Sequence, residues 1–166
     1  MIYDAIALVA ASLVTNFAND LQAIAAAKGQ GAIDHSINVY PHRAAEIFTA
    51  VKTDALPGLG VYSLTARTQA KSQGSRDSRP TIVFDYFARG ADPALLTTQC
   101  ELAAEAILKT IDRVAPTNTT DQLIGAGEDE NSVTVSIQGT SQAEGSKLFE
   151  DRVLVTCPVT FRDTGL

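Results

Sequence analysis

Apolar residues in the first part of the chain recur every three or four positions, which places them along one face of a helix. This pattern predicts a first helix over residues 3–27, with Lys28-Gly29-Gln30-Gly31 as its end and a glycine available for a left-handed C-cap. A second stripe begins after Asp92-Pro93, which is typical of an N-cap followed by proline at the first helical position. The stripes consist of Ile2, Ile6, Val9, Leu13, Phe17, Leu21 and Ile24, and of Leu96, Cys100, Ala103, Ile107, Ile111 and Val114.

Alternation of apolar and polar residues predicts strands over residues 61–67, 81–87, 133–138 and 148–161. Leu123-Ile124 is a candidate short edge strand, and residues 33–40 are either a loop or a short strand. Pro41 starts a short predicted helix, HRAAEIFTAVK. Pro158 indicates an edge position or a bulge late in the last strand.

These elements predict a single α+β domain over residues 1–166, because hairpin-like strand pairs flank the second helix. We expect an antiparallel or mixed four-stranded sheet with helices packed on one face and a long N-terminal helix. Between the first two strands lies the polar segment AKSQGSRDSR, which is either a mobile hairpin loop or the extended tip of a β-arm. Glu105 and Lys109 form a favourable pair one helical turn apart.

Charge and composition reduce the number of functional classes that fit the chain. The net charge of −6 argues against a nucleic-acid-binding protein, because binding to phosphates requires clustered basic residues. Charged residues make up only 19% of the chain, which suits either a subunit buried in an assembly or a monomer with a polar uncharged surface. The first apolar segment contains Asp4 and Asp20 and is periodic, so we expect neither a signal peptide nor a membrane span and assign the cytoplasm by default.

The residues that usually carry chemistry form no recognisable catalytic or cofactor set. Asp34, His35 and His42 offer at most a weak metal or ligand site, since the histidines lack the spacing of a helical metal pair. The two cysteines, Cys100 and Cys157, fall in apolar patterns, where they usually act as small core residues. We therefore expect no catalytic residue, no cofactor and no metal.

Two charged clusters are candidate partner contacts. Lys71, Arg76 and Arg79 either dock on an acidic partner surface or only keep the segment solvated. Glu128, Asp129 and Glu130 are best interpreted as a solvated acidic turn, with a weak ion site between subunits as the alternative.

The order of motifs over residues 55–163 resembles the tail terminator and minor tail protein U-like family of long-tailed phages. The resemblance rests on LPGLGVYSLTA, then RPTIVFDYFARGADPALLTTQCELAAEAILKTID, then VTVSIQG and the closing LVTCPVTFRD. Head-to-tail completion proteins of the same neck region share much of this pattern. The chain departs from a minimal member near its start, where residues 33–54 are longer than the pattern needs.

The resemblance implies a structural protein without catalytic turnover. Such a subunit forms a six-fold ring that caps the tail tube, faces the head connector and lets DNA pass through its lumen. Its expected partners are further copies of itself, the tail tube protein and the connector, and its expected location is the virion, after assembly in the host cytoplasm. A small ligand-binding or enzymatic α+β domain is the alternative from another class.

Overall fold

The computed structural model describes residues 2–31, 33, 37–40, 57–72, 75–114, 123–126, 133–142, 145 and 147–163. Within these ranges the chain forms two helices and seven strands. The helices are α1 (Ile2–Ala27) and α2 (Pro93–Val114). The strands are β1 (Asn38–Tyr40), β2 (Gly58–Ser72), β3 (Ser75–Gly90), β4 (Leu123–Ala126), β5 (Thr134–Ile137), β6 (Ser141–Gln142) and β7 (Phe149–Asp163).

The strands form one mixed sheet, which confirms the predicted α+β class. Its order is β1-β2-β3-β7, and β4, β5 and β6 follow one another along the remaining edge of β7. The β1–β2 pair is parallel and all the other pairs are antiparallel. The predicted number of four strands is wrong, because short segments complete both sides of the sheet.

Both helices pack on one face of this sheet, as predicted, and they also pack on each other. The apolar stripe of α1 contributes Val9, Leu13, Phe17 and Leu21 to a single buried core. The stripe of α2 contributes Leu96, Cys100, Ala103, Ile107 and Ile111. The sheet supplies alternate residues of β3 and β7, among them Phe84 and Val155, which lie opposite each other in the register.

The predicted helix ends are confirmed by their hydrogen bonds. The Asp92 carboxylate accepts from the backbone N–H groups of Ala94 and Leu95 at 2.9 and 3.2 Å, which satisfies two donors that the helix itself cannot. At the end of α1, Gly29 has a φ of 72°. The Gln30 N–H donates to the Ala25 carbonyl at 2.8 Å, so this end is a left-handed C-cap.

Ion pairs fix the two helices antiparallel to each other. Asp20 of α1, whose side chain is 8% exposed, pairs with Lys109 at 3.0 Å and with Arg113 at 2.8 Å. Lys28 at the end of α1 pairs with Glu105. The expected Glu105–Lys109 pair is therefore not the one that forms, because α1 brings an opposite charge to each of these side chains.

The polar segment 70–79 forms the end of β2 and the start of β3, so it is the tip of a β-arm, the second of its two sequence interpretations. Only residues 73 and 74 lie outside the described strands, and Ser72 is already opposite Ser75. Pro158 is not on an edge strand, since β7 has β3 on one side and shorter strands on the other. It lies between the stretch of β7 that pairs with β5 and the stretch that pairs with β4. The short helix predicted after Pro41 falls outside the described residues.

Candidate functional site

The three basic candidate residues lie in the arm, which we define as residues 64–79. Lys71 is on β2, whereas Arg76 and Arg79 are on β3. Arg76 is opposite Ala70 in the register, next to Lys71. The register thus brings Lys71 and Arg76 together near the tip, with Arg79 three residues further along β3.

The arm is basic within an acidic protein. It has four basic residues (Arg67, Lys71, Arg76 and Arg79) against one acidic residue, Asp77, a net charge of +3. Because the chain as a whole carries −6, the remaining residues carry −9. Arg67 also lies directly opposite Arg79 in the register.

The acidic candidates Glu128, Asp129 and Glu130 lie outside the described residues, and so do Asp34, His35 and His42. Neither the acidic turn nor the histidine site therefore receives a structural test, and both stay hypotheses. Among the described residues, no group of three potential metal ligands is close enough to hold an ion.

A pair of ionised side chains that sequence reasoning missed lies on the sheet face away from the helices. Asp85 of β3 is fully buried. The Arg152 guanidinium of β7 donates a hydrogen bond to each of its carboxylate oxygens, from Nε to Oδ1 at 2.6 Å and from Nη2 to Oδ2. The hydrogen bond to Asp85 raises the pKa of Arg152 above its usual value, against the opposing effect of burial. The only sequence signal for this pair was a carboxylate in the middle of an apolar, β-branched strand.

A polar groove opens beside this pair at the end of the sheet. Its volume is about 460 Å³. Its lining residues are Arg89, Gln138, Gly139, Ser141, Glu150, Asp151 and Arg152. Arg89 pairs with Glu150 here, so the charged groups of the groove neutralise one another and present no excess charge to a ligand.

Buried hydrogen bonds connect the same end of the sheet to α2. Asp151 is 2% exposed and accepts from the hydroxyls of Thr97 and Thr140 at 3.3 and 3.1 Å. Deeper in the core, Gln99 donates to the Tyr86 hydroxyl at 2.8 Å. These contacts satisfy polar groups that would otherwise be costly to bury.

The two cysteines are free and buried, as expected of core residues. Burial raises the pKa of Cys100 to about 12 and that of Cys157 to about 11. Both thiols are therefore protonated at neutral pH, and neither is an activated nucleophile.

No protein-family model matches the chain, and no curated protein matches it either. In the described part, neither helix is long and apolar enough to cross a membrane.

Proposed function

We propose that the chain is a structural virion protein of a long-tailed phage or phage-like particle, whose ring terminates the tail tube and joins it to the head connector. The proposal combines the resemblance over residues 55–163 with a fold that suits repeated association. The ring is hexameric, contacts the tail tube protein and the connector, and lets DNA pass without reading its sequence.

The charge asymmetry between the arm and the rest of the chain is the observation that carries this proposal. A basic arm of net charge +3 on a body of net charge −9 favours head-to-tail contact, in which the arm of one subunit meets the acidic surface of the next. Head-to-tail contacts close into rings when the rotation between subunits divides a full turn.

The first test is the assembly state. Native mass spectrometry and negative-stain electron microscopy of the purified chain should show a hexameric ring, and the ring should bind the end of purified tail tubes. Binding to the head connector alone would assign the role of a completion protein in the same neck. A chain that stays monomeric and never associates with tubes would contradict the proposal.

A second test addresses the arm. Single charge reversals, Lys71→Glu, Arg76→Glu and Arg79→Glu, should each weaken ring assembly while leaving the thermal unfolding of the subunit intact. Lys147→Glu is the matched control, because it reverses an exposed lysine outside the arm. Equal assembly of all four variants would reject the arm as the contact.

A further inference from the structure

The edge strands β5 and β6 are exposed on both of their faces. We define the strap as residues 133–142, which comprise β5, the turn that follows it and β6. Residues 134–142 are all exposed, whereas residues 82–88 of the central strand β3 are all buried. A strand of an antiparallel sheet usually buries one face against the core, so the strap is weakly anchored by comparison.

The helices leave this edge of the sheet largely uncovered. Val135 lies opposite Val155 of β7 in the register, and Ile137 lies opposite Val153. The two β7 valines are fully buried, but Val135 and Ile137 are 42% and 45% exposed. Val133, at the start of the strap, is half-buried against the core. Burial of apolar surface therefore contributes little to holding the strap in place.

Backbone pairing with β7 and the side chain of Thr140 connect the strap to the rest of the subunit. In the described part of the chain, β5 and β6 each pair with β7 alone. The Gln138 N–H donates to the Arg152 carbonyl at 2.9 Å. The Thr140 hydroxyl donates to the Asp151 carboxylate at 3.1 Å and lies 3.0 Å from the Thr97 hydroxyl of α2.

Detachment of the strap would leave the buried polar groups of β7 satisfied. Asp151 would still accept from the Thr97 hydroxyl at 3.3 Å and from the Arg152 N–H at 2.7 Å. Arg152 would still pair with Asp85. Because the released backbone groups lie at an exposed edge, water replaces their hydrogen bonds and the net cost of each is small. Opening of the strap therefore costs much less free energy than unfolding of the core.

We infer that the strap is a conformational element that opens by local unfolding while the helices, β2, β3 and β7 stay folded, and that the Thr140–Asp151 contact holds it closed. The strap supplies Gln138, Gly139 and Ser141 to the lining of the polar groove. Its opening removes one wall of that groove and uncovers the edge of β7. The inference does not rest on the proposed ring, since it depends only on contacts within one subunit.

The register predicts which amides of β7 report the opening. The Arg152 carbonyl points toward the strap, where it accepts a hydrogen bond. Backbone groups of successive residues point to alternate sides of a strand, so those of Leu154 and Thr156 also point toward β5. Those of Val153 and Val155 point toward β3. Opening of the strap exposes the first pair of amides to water and leaves the second pair bonded.

The experiment is residue-resolved hydrogen exchange of the wild type over a series of low urea concentrations. The hydrogen-bonded amides of the strap, Leu154 and Thr156 should exchange about a hundredfold or more faster than residues 82–88. Their rates should depend little on urea, because the opening exposes little surface. The amides of Val153 and Val155 should instead follow residues 82–88, whose exchange rises steeply with urea. Equal rates and equal urea dependence for all these amides would overturn the inference, as would fast exchange of Val153 and Val155.

The contact that holds the strap closed is tested by a pair of matched variants. Thr140→Val removes the hydroxyl that donates to Asp151 and should speed exchange of the strap about tenfold. Thr98→Val removes a hydroxyl that donates to the Ala94 carbonyl within α2. It should leave strap exchange unchanged, because α2 stays folded when the strap opens. An unchanged rate in Thr140→Val, or an equal rise in Thr98→Val, would overturn the role of Thr140.

Discussion

Removal of the Arg152 guanidinium should be among the most destabilising single changes in the sheet. Arg152→Met keeps most of the side-chain length but leaves the Asp85 carboxylate, which has no exposed surface, without its charged partner. Breaking a buried ion pair from one side costs about 3–5 kcal/mol, because the remaining charge can neither reach water nor find a counter-ion. We expect a loss of that size for Arg152→Met.

Arg89→Met provides a matched control on the same sheet face. Arg89 and Arg152 are almost equally exposed, at 28% and 29%, but Glu150, the partner of Arg89, is 32% exposed whereas Asp85 is fully buried. A half-exposed pair contributes about 0–1 kcal/mol, so Arg89→Met should be nearly neutral. Comparison of the two variants therefore separates the cost of leaving a buried carboxylate unpaired from the cost of losing an arginine side chain.

Urea unfolding at one fixed protein concentration measures the difference. With a denaturant slope of about 2 kcal/mol per molar, Arg152→Met should lower the midpoint by about 2 M, and Arg89→Met should lower it by less than about 0.5 M. Asp85→Leu/Arg152→Met removes both charges and should recover at least half of the loss. An Arg152→Met midpoint within the range of the Arg89→Met control would refute the reasoning.

Three further changes test local features of the fold. A Cβ added at Gly58 would lie 2.6 Å from Cζ of the fully buried Phe87, so Gly58→Ala should cost about 1–3 kcal/mol in urea unfolding. Gly31→Ala meets nothing within 4 Å and should be close to neutral, and equal effects at the two glycines would contradict the proposed clash. Asp92→Ala removes the N-cap of α2 and should cost about 1 kcal/mol, seen as a fall of about 2–4 °C in Tm; an unchanged Tm would show that the cap does not stabilise the protein. Hydrogen bonds from its basic partners on α2 lower the pKa of Asp20 from its ordinary 3.8, so its ionised form stabilises the fold above that pH and the stabilisation is lost as pH falls through the lowered value. Wild type and Asp20→Asn should therefore differ most at neutral pH and converge in acid, and a pH-independent gap in unfolding free energy would exclude this linkage.

Local patterns determined the helices and their ends. The stripe from Val9 to Leu21 and the stripe from Leu96 to Ile111 are buried as predicted, because a period of 3.6 residues puts these side chains on one face whatever the helix packs against. The Asp92 cap was predictable for the same reason, since its hydrogen bonds reach only two and three residues along the chain.

The presence of the longer strands was also predictable from the sequence, but the lengths of the strands and their pairing partners were not. Polar residues 70–79 resemble a loop in composition, yet the backbone pairs almost to the tip of the arm, and β7 also pairs with part of it. Backbone hydrogen bonds do not depend on side-chain polarity, so the composition of the segment led to predicted strands that were too short. The short strands β1 and β6 have two or three residues, too few for a periodic signal to define.

For the candidate contact surface too, some features could be predicted from the sequence and others required the structure. The sequence alone showed that the chain is acidic and contains one basic segment, because charges can be counted without a structure. Only the tertiary structure decided that Arg67 lies opposite Arg79, that Asp85 is buried against Arg152, and that β5 and β6 lie along one edge of β7. These relations join residues far apart in the chain. They depend on sheet order and register, which the whole core sets when both helices cover one face of β3 and β7.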